Sequence, residues 1–231
     1  MCFSMEASFA AGVMLLPAGG YCLQAAMRKR RSFLPLAMVP IAFGVQQIAE
    51  GFVWLGMEHE HPEYIRPGAL VFLFFALAFW PFWFSFLTLV SERQPRKKLI
   101  FGLLSVFTTG WFFILYLPIL TGPESILKVE TVHHSIHYEY PTLGIYETVP
   151  IMLLRLLYLS VIALPMALGS ESWGRIPGLA LAASAVGTIL LFDYAFVSVW
   201  CFFGAIMSIY LCWLFYWLPK RSMDESIARF S

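Results

Sequence analysis

Three of the chain's five histidines lie in the short segment HHSIHYEY, at positions 133 to 140. His133 and His137 are four residues apart, so their side chains share a face in a helix and also in a strand. Imidazole suits Zn, Cu, Ni and Fe, and a thiolate such as that of Cys2 is a strong ligand for zinc. We therefore predict a zinc site formed by His133, His137 and Cys2.

Two other interpretations of this segment stay open. Histidine and tyrosine rings combine an apolar body with a polar edge, and such residues are typical of a loop at the lipid headgroups. The unperturbed imidazole pKa of about 6.5 also suits a proton sensor. The segment contains no complete HExxH motif, so the metal hypothesis depends on the histidine spacing alone.

A second set of polar residues lies in the apolar segment FGVQQIAEGFVW, residues 43–54. Gln46, Glu50 and Trp54 follow one another at intervals of four residues, and Gln47 precedes Glu50 by three, so a helix aligns them. A carboxylate inside a membrane span is costly and by default marks a functional site or an ion pair. We predict Glu50 as a catalytic base or metal ligand, and Gln46, Gln47 and Trp54 as pocket residues.

Three residues further along the chain are candidates for the same ligand pocket: Arg155, Tyr158 and Asp193. Arg155 and Tyr158 are about one helical turn apart near the start of an apolar segment, at a depth comparable to that of Glu50. Two structural alternatives stay open. Glu50 and Arg155 would form a salt bridge that only joins helices, and Asp193 would only cap a helix.

The composition of the chain predicts that helices in a membrane position these residues. Of the 231 residues, 60% are hydrophobic and 13% are charged, and the mean hydropathy is +0.75. Apolar stretches of about 20 residues, enough to cross a bilayer as a helix, recur along the chain. We predict an all-α polytopic membrane protein, a single transmembrane domain over residues 1–231. Its seven-helix bundle has spans at 7–27, 33–56, 68–90, 99–120, 148–168, 176–192 and 195–218.

The distribution of basic residues predicts the orientation. Arginine and lysine follow the first, third, fifth and seventh predicted spans, whereas only Arg66 and Lys128 fall in the other loops. The positive-inside rule then puts the N-terminus outside and the C-terminus in the cytoplasm. All five histidines lie in outer loops, and residues 121–147 form a long extracytoplasmic loop. The short basic clusters are not typical of nucleic-acid binding, so the expected partners are the lipid bilayer and a small-molecule or lipid ligand.

Three motifs, MCFSMEASF at the N-terminus, QQIAEGFVW at 46–54 and WCFFGA at 200–205, resemble those of an uncharacterised family of bacterial integral membrane proteins. Members of that family open with Met-Cys-Phe-Ser and carry a Gln-Gln-x-x-Glu-Gly-x-x-Trp segment in the second span. The resemblance implies a seven-helix protein of the bacterial cytoplasmic (inner) membrane and no particular activity.

The layout is also similar to that of seven-span metal hydrolases of the alkaline ceramidase and adiponectin-receptor type. Those proteins carry a HxxxH pair in a late span, whereas His133 and His137 precede the fifth span.

Two functions are compatible with these residues. The first is a zinc-dependent hydrolase or hydratase with an outward-facing site in the outer half of the bundle, where the metal would activate water. The second is a small-ligand receptor, channel or transporter with a pocket lined by Glu50 and Arg155. A structural or assembly protein whose outer loop docks a partner is a third hypothesis. Whether the protein is an enzyme stays open, and so does a homo-oligomeric state.

Overall fold

The computed structural model describes residues 4–140, 144–171, 174–191 and 196–217. Cys2 and Asp193, two of the predicted site residues, lie outside these ranges. Within them β1 (Lys128–Val132) and β2 (Ser135–Glu139) form a two-stranded antiparallel sheet. The described α-helices are α1 (Met5–Lys29), α2 (Leu34–Ala37), α3 (Val39–Glu58), α4 (Ile65–Leu73), α5 (Trp80–Ser91), α6 (Pro95–Trp111), α7 (Leu117–Thr121), α8 (Ile145–Thr148), α9 (Ile151–Leu168), α10 (Arg175–Leu191) and α11 (Phe196–Trp217).

Seven apolar helical segments dominate the fold, as the sequence predicts. Five of them are long and apolar enough to cross a membrane: Met5–Lys29, Arg31–Glu58, Pro62–Ser91, Pro95–Thr121 and Ile151–Leu168. Two shorter apolar helices follow, Arg175–Leu190 and Phe203–Trp217. Hydropathy predicts these elements well because long apolar runs that are bounded by charges and prolines permit few other structures in a bilayer.

Helices α1 and α3 pack closely because glycines lie where they meet. A Cβ atom on Gly12 would lie 2.5 Å from Ile48 Cγ1, and one on Gly19 would lie 2.3 Å from Ile41 Cγ1. Small residues allow helix backbones to approach each other in membrane proteins. The close approach helps to enclose α3, most of whose residues are buried.

Two π-helical segments, Phe74–Phe79 and Phe112–Tyr116, interrupt the third and fourth spanning segments at neighbouring positions. The rings of Phe74 and Tyr116 meet edge to face with their centroids 5.5 Å apart. In the first π segment the carbonyl oxygen of Ala76 accepts a hydrogen bond from the Tyr158 hydroxyl of α9. Short π segments often occur at functional sites, and this one joins α9 to the third spanning segment.

The small sheet is a hairpin that packs on one end of the bundle. Its turn consists of His133 and His134, whose φ angles of 46° and 57° are both positive, as a two-residue type I′ turn requires. Alternation along β2 directs Ile136 and Tyr138 toward the helices. Ile136 is fully buried, and Tyr138 stacks on Phe72 with a centroid distance of 5.0 Å. The chain is mostly helical, but the predicted all-α class omits this hairpin.

At the other end of the bundle a buried carboxylate joins two loops. Glu92 accepts hydrogen bonds from the N–H groups of Arg93 and Gln94, each over 2.8 Å, and of Ser170 over 3.0 Å. Arg93 also forms an ion pair with Glu171 over 2.8 Å. These contacts connect the α5–α6 loop with the loop that follows α9.

Candidate functional site

The polar residues of α3 lie inside the helix bundle. Gln46, Gln47 and Glu50 have no exposed surface, and Trp54 is 2% exposed. Helical spacing aligns these side chains, and α1, α4 and α11 pack around α3. The structure therefore shelters the four residues from lipid and places them among other helices.

Glu50 accepts hydrogen bonds from side chains on two helices. Ser198 Oγ of α11 donates to Glu50 Oε1 over 2.6 Å, and Gln47 Nε2 donates to Glu50 Oε2 over 3.4 Å. Ser198 is itself buried. Transfer of a carboxylate from water into a protein or lipid interior carries a large desolvation penalty. Glu50 is therefore the first candidate for a functional group in the bundle.

Gln46 connects this cluster with the third spanning segment. Its Oε1 accepts a hydrogen bond from Trp80 Nε1 over 2.7 Å, and its Nε2 donates to the carbonyl oxygen of Phe72 over 3.5 Å. The Trp80 ring stacks on Phe43 with a centroid distance of 3.9 Å. The amide of Gln46 thereby orients the Trp80 ring and helps to fix the rotation of α3 relative to α5.

A small cavity of about 20 Å³ adjoins these residues. This volume is enough for one water-sized group. Trp80, which donates a hydrogen bond to Gln46, forms part of the cavity wall, so the cavity and the Glu50 cluster are neighbours. The walls include Phe43, Trp80, Phe84, Tyr158, Trp200 and Cys201.

The aromatic residues of the cavity wall direct their polar atoms away to other partners. The Tyr158 hydroxyl donates to the carbonyl oxygen of Ala76, and Trp200 Nε1 donates to the Leu181 carbonyl oxygen and to Ser184 Oγ, each over 3.2 Å. The Tyr158 and Trp200 rings meet edge to face at 5.2 Å. The cavity therefore presents mainly ring surfaces.

Of the three residues predicted to complete the pocket, the structure brings Tyr158 to the cavity. Arg155, one turn earlier on α9, is partly exposed. Among the described residues no ion pair joins Arg155 to Glu50, and the alternative of a structural salt bridge between them stays a hypothesis. Asp193 lies outside the described residues.

The hairpin separates the two histidines that were predicted as metal ligands. His133 lies in the turn, where strand alternation ends, so it does not share a strand face with His137. Nδ1 of His137 lies 3.8 Å from Glu139 Oε1. In the part of the chain that the structure describes, no three His, Cys, Asp or Glu side chains are grouped to hold a metal ion. Cys2 is outside that part, so the zinc site with His133, His137 and Cys2 stays a prediction.

Comparison with known families adds a match over nearly the whole chain. Residues 1–229 match DUF6629, a family of unknown function. The chain belongs to this family. Comparisons with curated proteins and with solved structures found no match. The predicted resemblance to a family without an assigned activity is confirmed, and the function of this member of DUF6629 has to be inferred from its own site.

Sequence reasoning missed two residues of the site, Ser198 and Trp80. Trp80 lies in the aromatic segment FWPFWF, a composition typical of an interfacial belt. Ser198 lies in an apolar helix, where a serine commonly bonds its own backbone, as Ser208 does by donating to the Gly204 carbonyl oxygen over 3.1 Å. Their contacts with α3 arise only from the tertiary structure.

Proposed function

We propose that this protein is a membrane receptor that binds a small molecule at Glu50, in the outer half of its helix bundle. The observation that carries the proposal is the complete burial of the Glu50 carboxylate beside an aromatic cavity. A ligand with a positively charged group interacts favourably with this carboxylate, and the low dielectric constant of the interior strengthens the attraction. An intramembrane carboxylate is by default a functional group.

The chemistry of the site favours a ligand with a protonated amine. Glu50 attracts positive charge, and the ring faces of Trp80, Tyr158 and Trp200 also attract cations through their quadrupoles. The cavity of about 20 Å³ limits the size of the group that enters without movement of the aromatic side chains. The ammonium group of a compact organic amine meets both conditions.

A closed pocket fits the bundle better than a channel or transport path. Thr88 Oγ1 donates to the Phe84 carbonyl oxygen over 2.9 Å, and Ser105 Oγ donates to the Phe101 carbonyl oxygen over 2.8 Å. Hydroxyl groups that bond their own helix satisfy backbone acceptors and do not line a water-filled path. This supports a receptor over a transporter.

The proposed location is the bacterial cytoplasmic membrane, with the N-terminus outside and the C-terminus inside. The positive-inside rule supports this orientation, because the basic residues cluster at one end of the spans. In this orientation residues 121–147 lie outside the cell, and the hairpin within them covers the outer end of the bundle. The lipid bilayer is then a partner of the protein, and whether the protein forms a homo-oligomer stays open.

The experiment that tests the function measures the unfolding temperature of the protein in nanodiscs with three small probes of similar size. Ethylammonium is positive, ethanol is neutral and acetate is negative. We expect ethylammonium to raise the unfolding temperature of the wild type, with no comparable effect from the other two. The Glu50→Gln variant is expected to lose the response to the amine.

The matched control is Glu58→Gln. Glu58 ends the same helix and is exposed, so its replacement removes one carboxylate and leaves the buried site intact. We expect this variant to respond to ethylammonium as the wild type does. A response that is equal for the three probes, or that survives in Glu50→Gln, contradicts the proposal.

The zinc-dependent hydrolase or hydratase stays the other hypothesis from the sequence. It requires His133, His137 and Cys2 to converge, and the described geometry offers no observation in its favour. Whether the receptor also has enzymatic activity stays open.

A further inference from the structure

Two cysteines far apart in the sequence meet between the first and the last helix. Cys22 of α1 and Cys212 of α11 have their Sγ atoms 3.5 Å apart. Cys22 has no exposed surface, whereas Cys212 is partly exposed. The thiol of Cys212 also donates to the Ala18 carbonyl oxygen over 3.7 Å. The two thiols are therefore in direct contact, and one of them is open to the surroundings of the bundle.

Further contacts hold α1 and α11 together near these thiols. Lys29 Nζ at the end of α1 donates to the carbonyl oxygens of Phe215 and Tyr216 over 2.9 and 2.8 Å. Phe215 is fully buried and meets the ring of Phe33 edge to face at 6.5 Å. The relative position of the two helices is thus fixed by interactions that do not involve sulfur.

We propose that Cys22 and Cys212 form a disulfide when the membrane supplies a quinone as the oxidant. Each sulfur loses its hydrogen, the S–S bond forms, and two electrons and two protons reduce the quinone to the hydroquinone. An S–S bond is about 2.05 Å long, so the sulfur atoms have to approach by about 1.5 Å, a distance within the reach of small side-chain rotations. This pair is a modification site, and it is independent of the function proposed for Glu50.

A lipid-soluble oxidant suits the position of the pair. Both cysteines lie within apolar helices, with Cys212 five residues before a partly exposed helix end rich in aromatic side chains. A water-soluble oxidant reaches such a depth poorly, whereas a quinone dissolves among the lipids. Cys201 provides the contrast, because it is buried beside the aromatic cavity and away from the α1–α11 contact.

The test exposes the full-length protein in nanodiscs to a short-chain ubiquinone and then digests it under denaturing, alkylating conditions. Mass spectrometry is expected to detect the peptide pair that contains Cys22 and Cys212, and both residues are expected to lose their alkylation. A phosphine reductant is expected to restore both alkylated thiols. The unfolding temperature is expected to rise in the oxidised protein, because a disulfide restricts the unfolded chain.

Single variants supply the controls. Cys22→Ser and Cys212→Ser are expected to lose the peptide pair, and Cys201→Ser and Cys2→Ser are expected to retain it. Complete alkylation of Cys22 and Cys212 in the quinone-treated wild type overturns the proposal, and so does a disulfide that uses Cys2 or Cys201 instead. Because the wild type provides the decisive measurement, a variant that fails to fold does not obscure the outcome.

Discussion

Single hydrogen bonds determine how the residues around Glu50 are arranged. Ser198 and Gln47 donate to its two carboxylate oxygens, and Trp80 donates to the neighbouring Gln46. In an interior of low dielectric constant such bonds are stronger than in water, and a partner that loses its bond is correspondingly costly. We therefore expect the free energy of unfolding to fall more when one hydrogen-bond donor of the cluster is removed than when one ring contact is lost.

Replacement of Trp80 by Phe tests the contribution of a single donor, the Nε1–H group of Trp80. The substitution keeps an aromatic ring but removes the donor to Gln46 Oε1, which leaves a buried acceptor unsatisfied. We expect the free energy of unfolding to fall by about 1 to 3 kcal/mol, measured by denaturant titration in detergent micelles.

Trp83→Phe is the matched control for that measurement. The buried Nε1 of Trp83 has no hydrogen-bond partner within the described residues, so the same substitution removes a donor that satisfies nothing. We expect the free energy of unfolding to stay the same or to rise slightly. Equal losses in the two variants indicate that ring packing, and not the bond to Gln46, stabilises this region.

Among the elements, the hairpin depends on a turn that histidine does not favour. Both turn residues have positive φ, a conformation that carries a steric penalty for residues with a Cβ atom. His134→Gly removes that penalty and is expected to stabilise the hairpin by about 1 kcal/mol. Slower hydrogen exchange at the amides of Ile136 and Tyr138 is the measurement.

His134→Ala separates the backbone effect from the imidazole. Alanine also removes the ring but keeps a Cβ atom, so it retains the penalty of positive φ. We expect the exchange rates in His134→Ala to stay above those in His134→Gly. If the two variants exchange equally slowly, the imidazole and not the backbone conformation destabilises the turn.

Glu92, which connects the α5–α6 loop with the loop after α9, makes the stability of the protein dependent on pH. Burial by itself raises the pKa of Glu92, but hydrogen bonds from the N–H groups of Gln94, Ser170 and Arg93 lower it to about 2. A carboxyl group with a lowered pKa stabilises the fold above its ordinary value of 4.5. That contribution is lost as the pH falls from 4.5 toward about 2.

Glu92→Gln provides the corresponding measurement. We expect the wild type to be more stable than the variant at neutral pH, and the difference to shrink progressively below the ordinary carboxyl pKa of 4.5. Unfolding temperatures measured in a series of acidic buffers give the result. A difference between the two proteins that stays constant throughout the acid range contradicts this role of Glu92.

The helical elements could be predicted from the sequence, whereas the hairpin and much of the site could not. Hydropathy determines where a long apolar helix forms, which is why α1, α3, α6, α9, α10 and α11 follow the predicted segments. The turn at His133 and His134 carries no Asn-Gly signal, so the sequence left both a helix and a strand open. Glu50 has a local signal because a charge in an apolar span is rare, but its partner Ser198 has none.

For the whole molecule, orientation in the membrane can be tested with two introduced cysteines in a Cys2→Ser background. Lys128 lies in the hairpin and Lys98 lies near the start of α6, and both are exposed. In intact spheroplasts we expect a membrane-impermeant maleimide to label Lys128→Cys and not Lys98→Cys. Labelling of Lys98→Cys is expected only after permeabilisation, and the reverse pattern contradicts an outside N-terminus.

The π segment Phe74–Phe79 determines how the rest of the third spanning helix is rotated about its axis. A π turn accommodates one residue more than an α turn, and one residue corresponds to about 100° around a helix axis. The part of the third spanning segment beyond Phe74–Phe79 is therefore rotated relative to an uninterrupted α-helix, and this rotation determines that Trp80 faces Gln46. Deletion of one residue from this segment would shorten the helix by one residue and leave it apolar, but it would turn Trp80 away from Gln46.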